Sequence, residues 1–487
     1  MWGAVPLFKI TREDKMIQAT TEDARKLITE GLITLSNASI EGIGIDIKYC
    51  LKQEKILTLK LKKLITEFKE TRTGKLWKKI YRNANFNSDM QLRDILFKKL
   101  HLPQVKKTEP SVTYPNGQPV VNNETLELLS KQNEDLLPYI SYKKYDKVLN
   151  TYISGIIKEQ VDGFLHPFFH LHTAKTFRSS SANINFQNQP NRDPIQKKII
   201  RTAFIPHKGH RFLTADFSGI EVAISCCNHK DPKMIKYVTD KKTDMHRDLA
   251  VDCYKLDKFQ KEGSEKTLRK GAKNGFVFPQ FYGDYYGNNA PILLHWGGLP
   301  SSGSWEKSDG LPLITGMTLG EHLIRKGITC YEEFEDHIQD VQNHFWKQRF
   351  KAYNQWKLDN VAEYYKRGYL KTLTGFTCSG LMGKNEINNY PIQGPAFHCT
   401  LATFIEISKR IEYQGLKTRL IGQIHDELVF TNEPDEKDQI LDMIRSVACI
   451  WLPKQWPWII VPLEIEANVF EVDAPWSSAS YVVKIAK

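Results

Sequence analysis

The sequence predicts an α+β protein of two or three lobes, and three observations carry that expectation. Its 487 residues are 41% hydrophobic and 11% aromatic, enough to build ordinary buried cores. A basic segment with helical periodicity gives way near Gly163 to short strand-like runs. A mostly helix-patterned region, Lys255 to Ile411, then separates the run "GHRFLTADF" (Gly209 to Phe217) from "RLIGQIHDELVF" (Arg419 to Phe430).

Taken in order, Leu51 to Arg82 carries eleven Lys/Arg against three Glu, with Leu57, Leu61, Leu64 and Phe68 spaced as one stripe opposite the basic face. This predicts one long amphipathic helix. Its cations read either as a solvated face or as a track for a phosphate backbone. A turn-rich loop, "KKTEPSVTYPNGQPVVNN", leads to a second helical stretch from Tyr142. After the apolar run that ends at Asp216, a helix is expected from Ser218. "WGGLPSSGSWEKSDGLP" (Trp296 to Pro312) is too rich in Gly, Ser and Pro for regular structure. The C-terminal "SYVVKIAK" reads as an extra strand or a partner peptide.

Composition excludes some classes. Lys plus Arg outnumber Asp plus Glu by 68 to 56, a formal charge of +12, which favours a polyanionic partner. The eight cysteines show no C-x-x-C spacing, so neither a zinc ribbon nor a disulfide framework is suggested, and a reducing compartment fits. No uncharged apolar run of about 18 residues occurs, and the N-terminus lacks the apolar core of a signal peptide. The expectation is a cytoplasmic protein without a membrane partner. His170-x-His172 lacks a third ligand nearby, so zinc is the weaker reading there, and the adjacent Cys226 and Cys227 read as core.

Three segments carry chemistry. In "LTADFSGIEVAI", Asp216 stands where a buried strand meets a helix start, as a helix cap or as a ligand, with Glu221 five residues on. In "LRKGAKNGFVFPQFYG", Arg269 and Lys273 are spaced to share one helical face, where they can hold a triphosphate; Phe278 and Tyr282 repeat that spacing. In "RLIGQIHDELVF", His425, Asp426 and Glu427 sit between two apolar runs, as the tip of a surface hairpin or as a fixed carboxylate site for a metal ion. Together the segments supply two separated carboxylates, a cationic helix and an aromatic platform. Phosphoryl transfer to a nucleotide requires that equipment.

The chain resembles the family A DNA polymerases, the DNA polymerase I family. "TADFSGIE" is similar to that family's motif A, "RKGAKNGFVFPQFYG" to motif B and "QIHDELVF" to motif C, in the family's order. "TFRSSSANINFQNQP", "TDMHRDLA" and "NYPIQG" add further matches, and the likeness covers roughly nine tenths of the chain. The resemblance implies a right-hand fold with an antiparallel palm sheet, helical fingers and a helical thumb. On that plan, residues 1–38 form a short N-terminal segment, 39–155 the thumb and 156–245 the first part of the palm. The fingers take 246–395, with an inserted loop at about 284–330, and 396–487 complete the palm and tail.

The implied activity is template-directed DNA synthesis on a primer–template duplex from deoxynucleoside triphosphates. A single-subunit RNA polymerase or primer-synthesising enzyme is the close alternative; a two-metal nuclease and a silent DNA-binding protein are the distant ones. By resemblance, Asp216 and Asp426 bind two divalent ions, Mg2+ or alternatively Mn2+, in a two-metal site of which polymerases are a standing example. Glu427 stands beside them. Arg269, Lys273 and His246 grip the triphosphate, Lys273 counting among the catalytic residues, and Phe278 stacks on the base. Glu221 and Tyr282 crowd a 2′-hydroxyl. Arg178, Asn389, Gln393 and His425 touch the duplex near the primer end.

Three departures from the family pattern stand out. Gly219 occupies a motif A position that is usually Gln. Motif B has one extra residue between Lys273 and Phe278, and Pro279 follows, so either a π-bulge restores the face or the helix ends early, with Phe276 or Val277 as substitute platforms. Only about forty residues precede "IEGIGID", which leaves no room for a proofreading exonuclease domain. The expectation is a minimal phage, plasmid or organelle enzyme, working alone or with a separate nuclease or replication protein.

Overall fold

The computed structural model describes residues 19–104, 107–108, 111–190, 193–260 and 262–486. Most of the short N-terminal segment and part of the expected loop after Val105 lie outside them. Five antiparallel strands form the central sheet: β1 (Arg211–Phe217), β2 (Arg419–Ile424), β3 (Glu427–Asn432), β4 (Ile465–Val472) and β5 (Ser480–Ile485). Their spatial order is β5–β4–β1–β3–β2. β1 is central and nearly continuous in apolar residues because both its faces are covered: Phe212, Leu213, Ala215 and Phe217 are all buried. Asp216 breaks that run at the strand's end. The C-terminal segment is a strand and not a detached peptide, since β5 pairs with β4 from Ile465↔Ile485 to Phe470↔Ser480.

The basic segment is two helices where one was expected. α1 (Ile47–Glu70) stops at Thr71, whose hydroxyl accepts from the Gly74 N–H at 3.1 Å and so caps α2 (Arg72–Ile80). The reversal needs a residue without a side chain at 74, because a Cβ there would lie 2.0 Å from the Phe68 carbonyl. α2 folds back to set Trp77 edge-on against Phe68. With Phe86 and Tyr139 these rings build a second, separate core, which gives this lobe its own stability.

Beyond β1, α3 (Ile220–His229), α4 (Met245–Tyr254) and α5 (Gly263–Ala272) lead into the segment that carries the extra residue. There Lys273–Val277 form a π-helical turn, with the Phe278 N–H bonded to the Lys273 carbonyl five residues back. Regular helix resumes over Phe278–Phe281, with Pro279 harmless in its first turn. The extra residue is thus absorbed by a bulge.

The segment expected as an inserted loop at about 284–330 is partly helical. α6 (Tyr286–Gly297) takes up Trp296, and a short helix covers Leu319–Arg325. Apolar residues in and around the Gly/Ser-rich stretch explain this: Leu293, Trp305, Leu319 and Leu323 are buried, and their burial outweighs the poor local propensity. α7 (Lys351–Arg367) and the 30-residue α8 (Lys384–Tyr413) close the fold, α8 running through the core between the sheet and α3. Among the described residues, no helix is long and apolar enough to cross a membrane. The rings of His170 and His172 lie edge to face at 5.3 Å, and no group of three or more His, Cys, Asp or Glu among the described residues could hold a metal ion on its own.

Candidate active site

β1 and the turn between β2 and β3 bring the two carboxylates together. Asp216 faces the cleft at the end of β1, and the Phe217 N–H donates to the Asp426 carbonyl at 3.3 Å, which ties the turn to the strand. Asp216 does not cap the next helix. That place is taken by Gly219 at φ +65°, where a Cβ would meet open space, so the position demands a left-handed backbone more than it demands room. The turn itself is tight: His425 holds φ +53°, and its carbonyl accepts from the Gln423 side chain.

A cavity of about 250 Å3 opens here, lined by Asp216, Glu221, Phe278, Tyr282, Asn389, Gln393 and Asp426. Seven residues singled out from four distant segments therefore share one wall. Burial pushes the Asp216 carboxyl up to about 7, with Glu427, Asp426 and Glu466 adding repulsion, although the residue remains exposed to solvent. Burial likewise pushes Asp426 up to about 6, against the pull of Arg178. Oδ1 of Asp426 is buried with no hydrogen-bond partner. An unsatisfied carboxylate oxygen beside a second carboxyl that resists ionising is the electrostatic signature of a place for a cation.

Glu427, next to Asp426 in the chain, opens β3. In the sheet it is the register partner of Asp216, as is Glu466 from the other side, so three carboxylates cross β3, β1 and β4 in a row. They face a second cavity of about 620 Å3 together with Lys197 and Arg201. Burial raises the Glu427 carboxyl, and those two cations partly offset it.

Glu221 is engaged at both oxygens. Tyr282 donates to Oε2 at 2.5 Å, and Arg178 forms an ion pair with Oε1. Arg178 thus meets Glu221 directly. Asn389 and Gln393 reach the cleft from one face of α8, where Pro391 and Pro395 interrupt the helical hydrogen bonds between and beyond them.

The cationic group sits next to the cleft without lining it. Arg269 is bidentate on Asp244, with contacts of 2.9, 3.0 and 3.2 Å, and Asp244 also caps α4. Lys273 Nζ lies 5.1 Å from the centre of the Phe278 ring, and His246 meets that ring edge-on at 5.9 Å. Burial, then Lys273 and Arg269, push His246 down to about 4, so it is neutral near pH 7. The π turn decides the platform: Phe276 and Val277 are fully buried in the core, and Phe278 alone of the three lines the cleft.

Sequence reasoning missed Asp244, Glu466 and the amide pair Gln187 and Gln423. Gln187 Nε2 donates to Gln423 Oε1 (2.9 Å) and to Ser179 Oγ (2.6 Å), which joins the Arg178 segment to the motif C turn. Asp244 and Gln187 stand inside quoted motifs, so a search for buried polar partners there could have found them. Glu466 carried no local signal.

The sequence profile described as DNA polymerase family A matches residues 54–288 and 338–470. The chain belongs to that family. Within this family A polymerase, residues 289–337 fall outside the match, which is most of the segment read as an insertion. DNA polymerase I of Caldicellulosiruptor bescii is 26% identical over 384 residues, covering 77% of this chain and 40% of the relative. The thermostable DNA polymerase I of Thermus aquaticus is 24% identical over 496 residues, covering 98% of this chain and 50% of the relative. The chain spans half or less of the length of these relatives. The solved POL domain of Pol1 from M. smegmatis, in complex with DNA primer-template and dNTP, superposes with a TM-score of 0.70 at 21% identity, over 94% of this chain and 73% of that one. That likeness places the polymerase fold, α+β with a right-hand plan, on this chain.

Proposed function

We propose that this chain is a DNA-directed DNA polymerase that adds deoxynucleotides to a primer 3′ end. One observation carries the reading: Asp216 and Asp426, 210 positions apart in the sequence, meet in a cleft that also holds Phe278, Glu221 and Tyr282. The M. smegmatis domain was solved with DNA primer-template and dNTP, the substrates proposed here.

Asp216 and Asp426 would hold two divalent cations, with Mg2+ favoured and Mn2+ the alternative. Two protein carboxylates suit magnesium, which completes its shell with water and substrate phosphates and does not need a cage of side chains. Bound there, the ions would supply charge stabilisation for the attacking 3′-oxygen and the departing pyrophosphate. Every other part falls to the chain itself. Arg269, Lys273 and the neutral His246 bind the triphosphate beside the cleft. Asp244 orients Arg269 for that task, since a guanidinium held at two points cannot rotate away. Phe278 offers its face to the incoming base. The Glu221–Tyr282 pair closes the space that a 2′-hydroxyl would need, which favours deoxynucleotides over the ribonucleotides of an RNA-making relative. Arg178, Asn389, Gln393 and His425 contact the duplex end.

Primer extension with Mg2+, using deoxynucleotides or ribonucleotides in parallel, tests the reading. Asp216→Ala and Asp426→Ala are each expected to slow extension by at least about a thousandfold while primer–template binding stays near wild type. Retention of more than about a tenth of the wild-type rate in either variant would overturn the assignment.

A further inference from the structure

The turn that delivers Arg178 is built in an uncommon way. Phe177 holds φ +57°, a left-handed conformation that glycine takes freely and that a Cβ resists. Its N–H closes the turn onto the Ala174 carbonyl at 2.9 Å, but one hydrogen bond does not by itself fix an unfavourable dihedral. The ring supplies what the backbone lacks. It lies 4.7 Å from the ring of Phe376, tilted by 44°, and Phe376 stacks in turn on His398 at 4.1 Å and 24°.

His398 is fully buried within α8, and its Nδ1 shares a 2.7 Å hydrogen bond with the hydroxyl of Thr374. Burial holds its pKa down to about 3, so the ring stays neutral and packs as a flat aromatic. α8 also approaches the turn from below, because a Cβ on Gly394 would lie 2.9 Å from the Thr176 carbonyl. Phe177 packs both on the main core and on the small cluster around Tyr364 and Ile387. The next residue, Arg178, puts its guanidinium on Glu221, which also accepts from Tyr282.

We propose that Phe177, Phe376 and His398 are positioning residues whose packed rings clamp this left-handed turn and so set where Arg178 meets Glu221 and the duplex end. The part concerning the duplex rests on the polymerase reading; the clamp is a property of the chain alone.

Phe177→Gly removes the ring together with the backbone strain, whereas Phe177→Ala removes the ring and keeps the strain. Both are combined with Arg178→Ala. The clamp predicts that each Phe177 variant lowers kcat/KM for extending a matched primer by about tenfold or more, and by less than about threefold in the Arg178→Ala background. Melting without DNA or nucleotide gives the same cycle independently of activity, and there the shifts of Phe177→Gly and Arg178→Ala are expected to fall short of additive. Should Phe177→Ala fail to fold, Phe376→Leu, which removes the flat ring at similar volume, takes its place. Full activity of Phe177→Gly, or equal losses in both backgrounds with additive melting shifts, would overturn the clamp. A wild-type chain that extends no primer but shows non-additive melting would retire the polymerase reading and leave the clamp standing.

Discussion

Asp216 is a carboxyl that folding makes harder to ionise, and this has a sign that can be measured. Its unfolded counterpart loses its proton near pH 4, while burial and the charges of Glu427, Asp426 and Glu466 hold the folded group up to about 7. Between those values the folded state binds the extra proton, so stability falls as pH rises through the window and stays lowered above it. Asp216→Asn is therefore expected to raise the melting temperature of metal-free protein at pH 8 by about 1–3 °C and to change it little at pH 4.5. A similar shift at both pH values would contradict the account. Magnesium should stabilise the wild type more at pH 8 than at pH 6, and Asp216→Asn should lose most of that gain. Glu221 gives a second residue-scale prediction, since its two oxygens fix both Tyr282 and Arg178. Glu221→Ala is expected to reduce the preference for deoxynucleotides over ribonucleotides by at least about tenfold, read as a ratio of kcat/KM values; an unchanged ratio would show that the gate lies elsewhere.

At the scale of elements, the π turn at Lys273–Val277 does the work of register. One extra residue in a regular helix turns everything after it by about 100°, which would carry Phe278 off the cleft wall. The bulge cancels that rotation. Deleting Asn274, whose side chain is exposed, should convert the turn to plain helix and keep Phe278 in line with Lys273. The expected result is a folded protein whose KM for deoxynucleotides stays within about threefold of wild type. A KM raised by about tenfold or more would mean that the bulge does more than absorb the extra residue. The basic face of α1 belongs to this scale too. Lys60 lies 3.8 Å over the Tyr145 ring and so ties α1 to the helix that carries that ring, while Lys63 makes only an exposed pair with Glu67 one turn on in the same helix.

At the scale of the whole molecule, the cleft lined by Asp216 and Asp426 from the sheet and by Phe278 and Tyr282 from the helices is where the proposed chemistry, nucleotide addition, belongs. Offered a labelled primer with a mispaired 3′ nucleotide and magnesium, the chain is expected to stall or extend slowly with the label retained. Release of that nucleotide as a monophosphate by a clean preparation would instead reveal an excision activity. The separate core around Phe68, Trp77 and Tyr139 makes the basic lobe a packing unit of its own.

The sequence by itself determined the α+β class, the strand that ends in Asp216, the polar tip at Asp426 and the cationic spacing of Arg269 and Lys273, because each is written in local periodicity. It also posed the motif B question correctly, since an insertion against a helical repeat has only a bulge or a break as outcomes. Only the tertiary structure decided what depends on partners distant in the chain. Thr71 broke the basic helix because Trp77 could pack back on Phe68. The segment after Tyr282 gained helices because burial of Leu293, Leu319 and Leu323 outweighed its glycines. Glu427 went beside Asp216 because strand register, and not adjacency in sequence, fixes which side chains share a face. Asp244, Gln187 and Gln423 acquired their roles the same way: a buried polar group takes its meaning from the partner that satisfies it, and that partner is chosen by the fold.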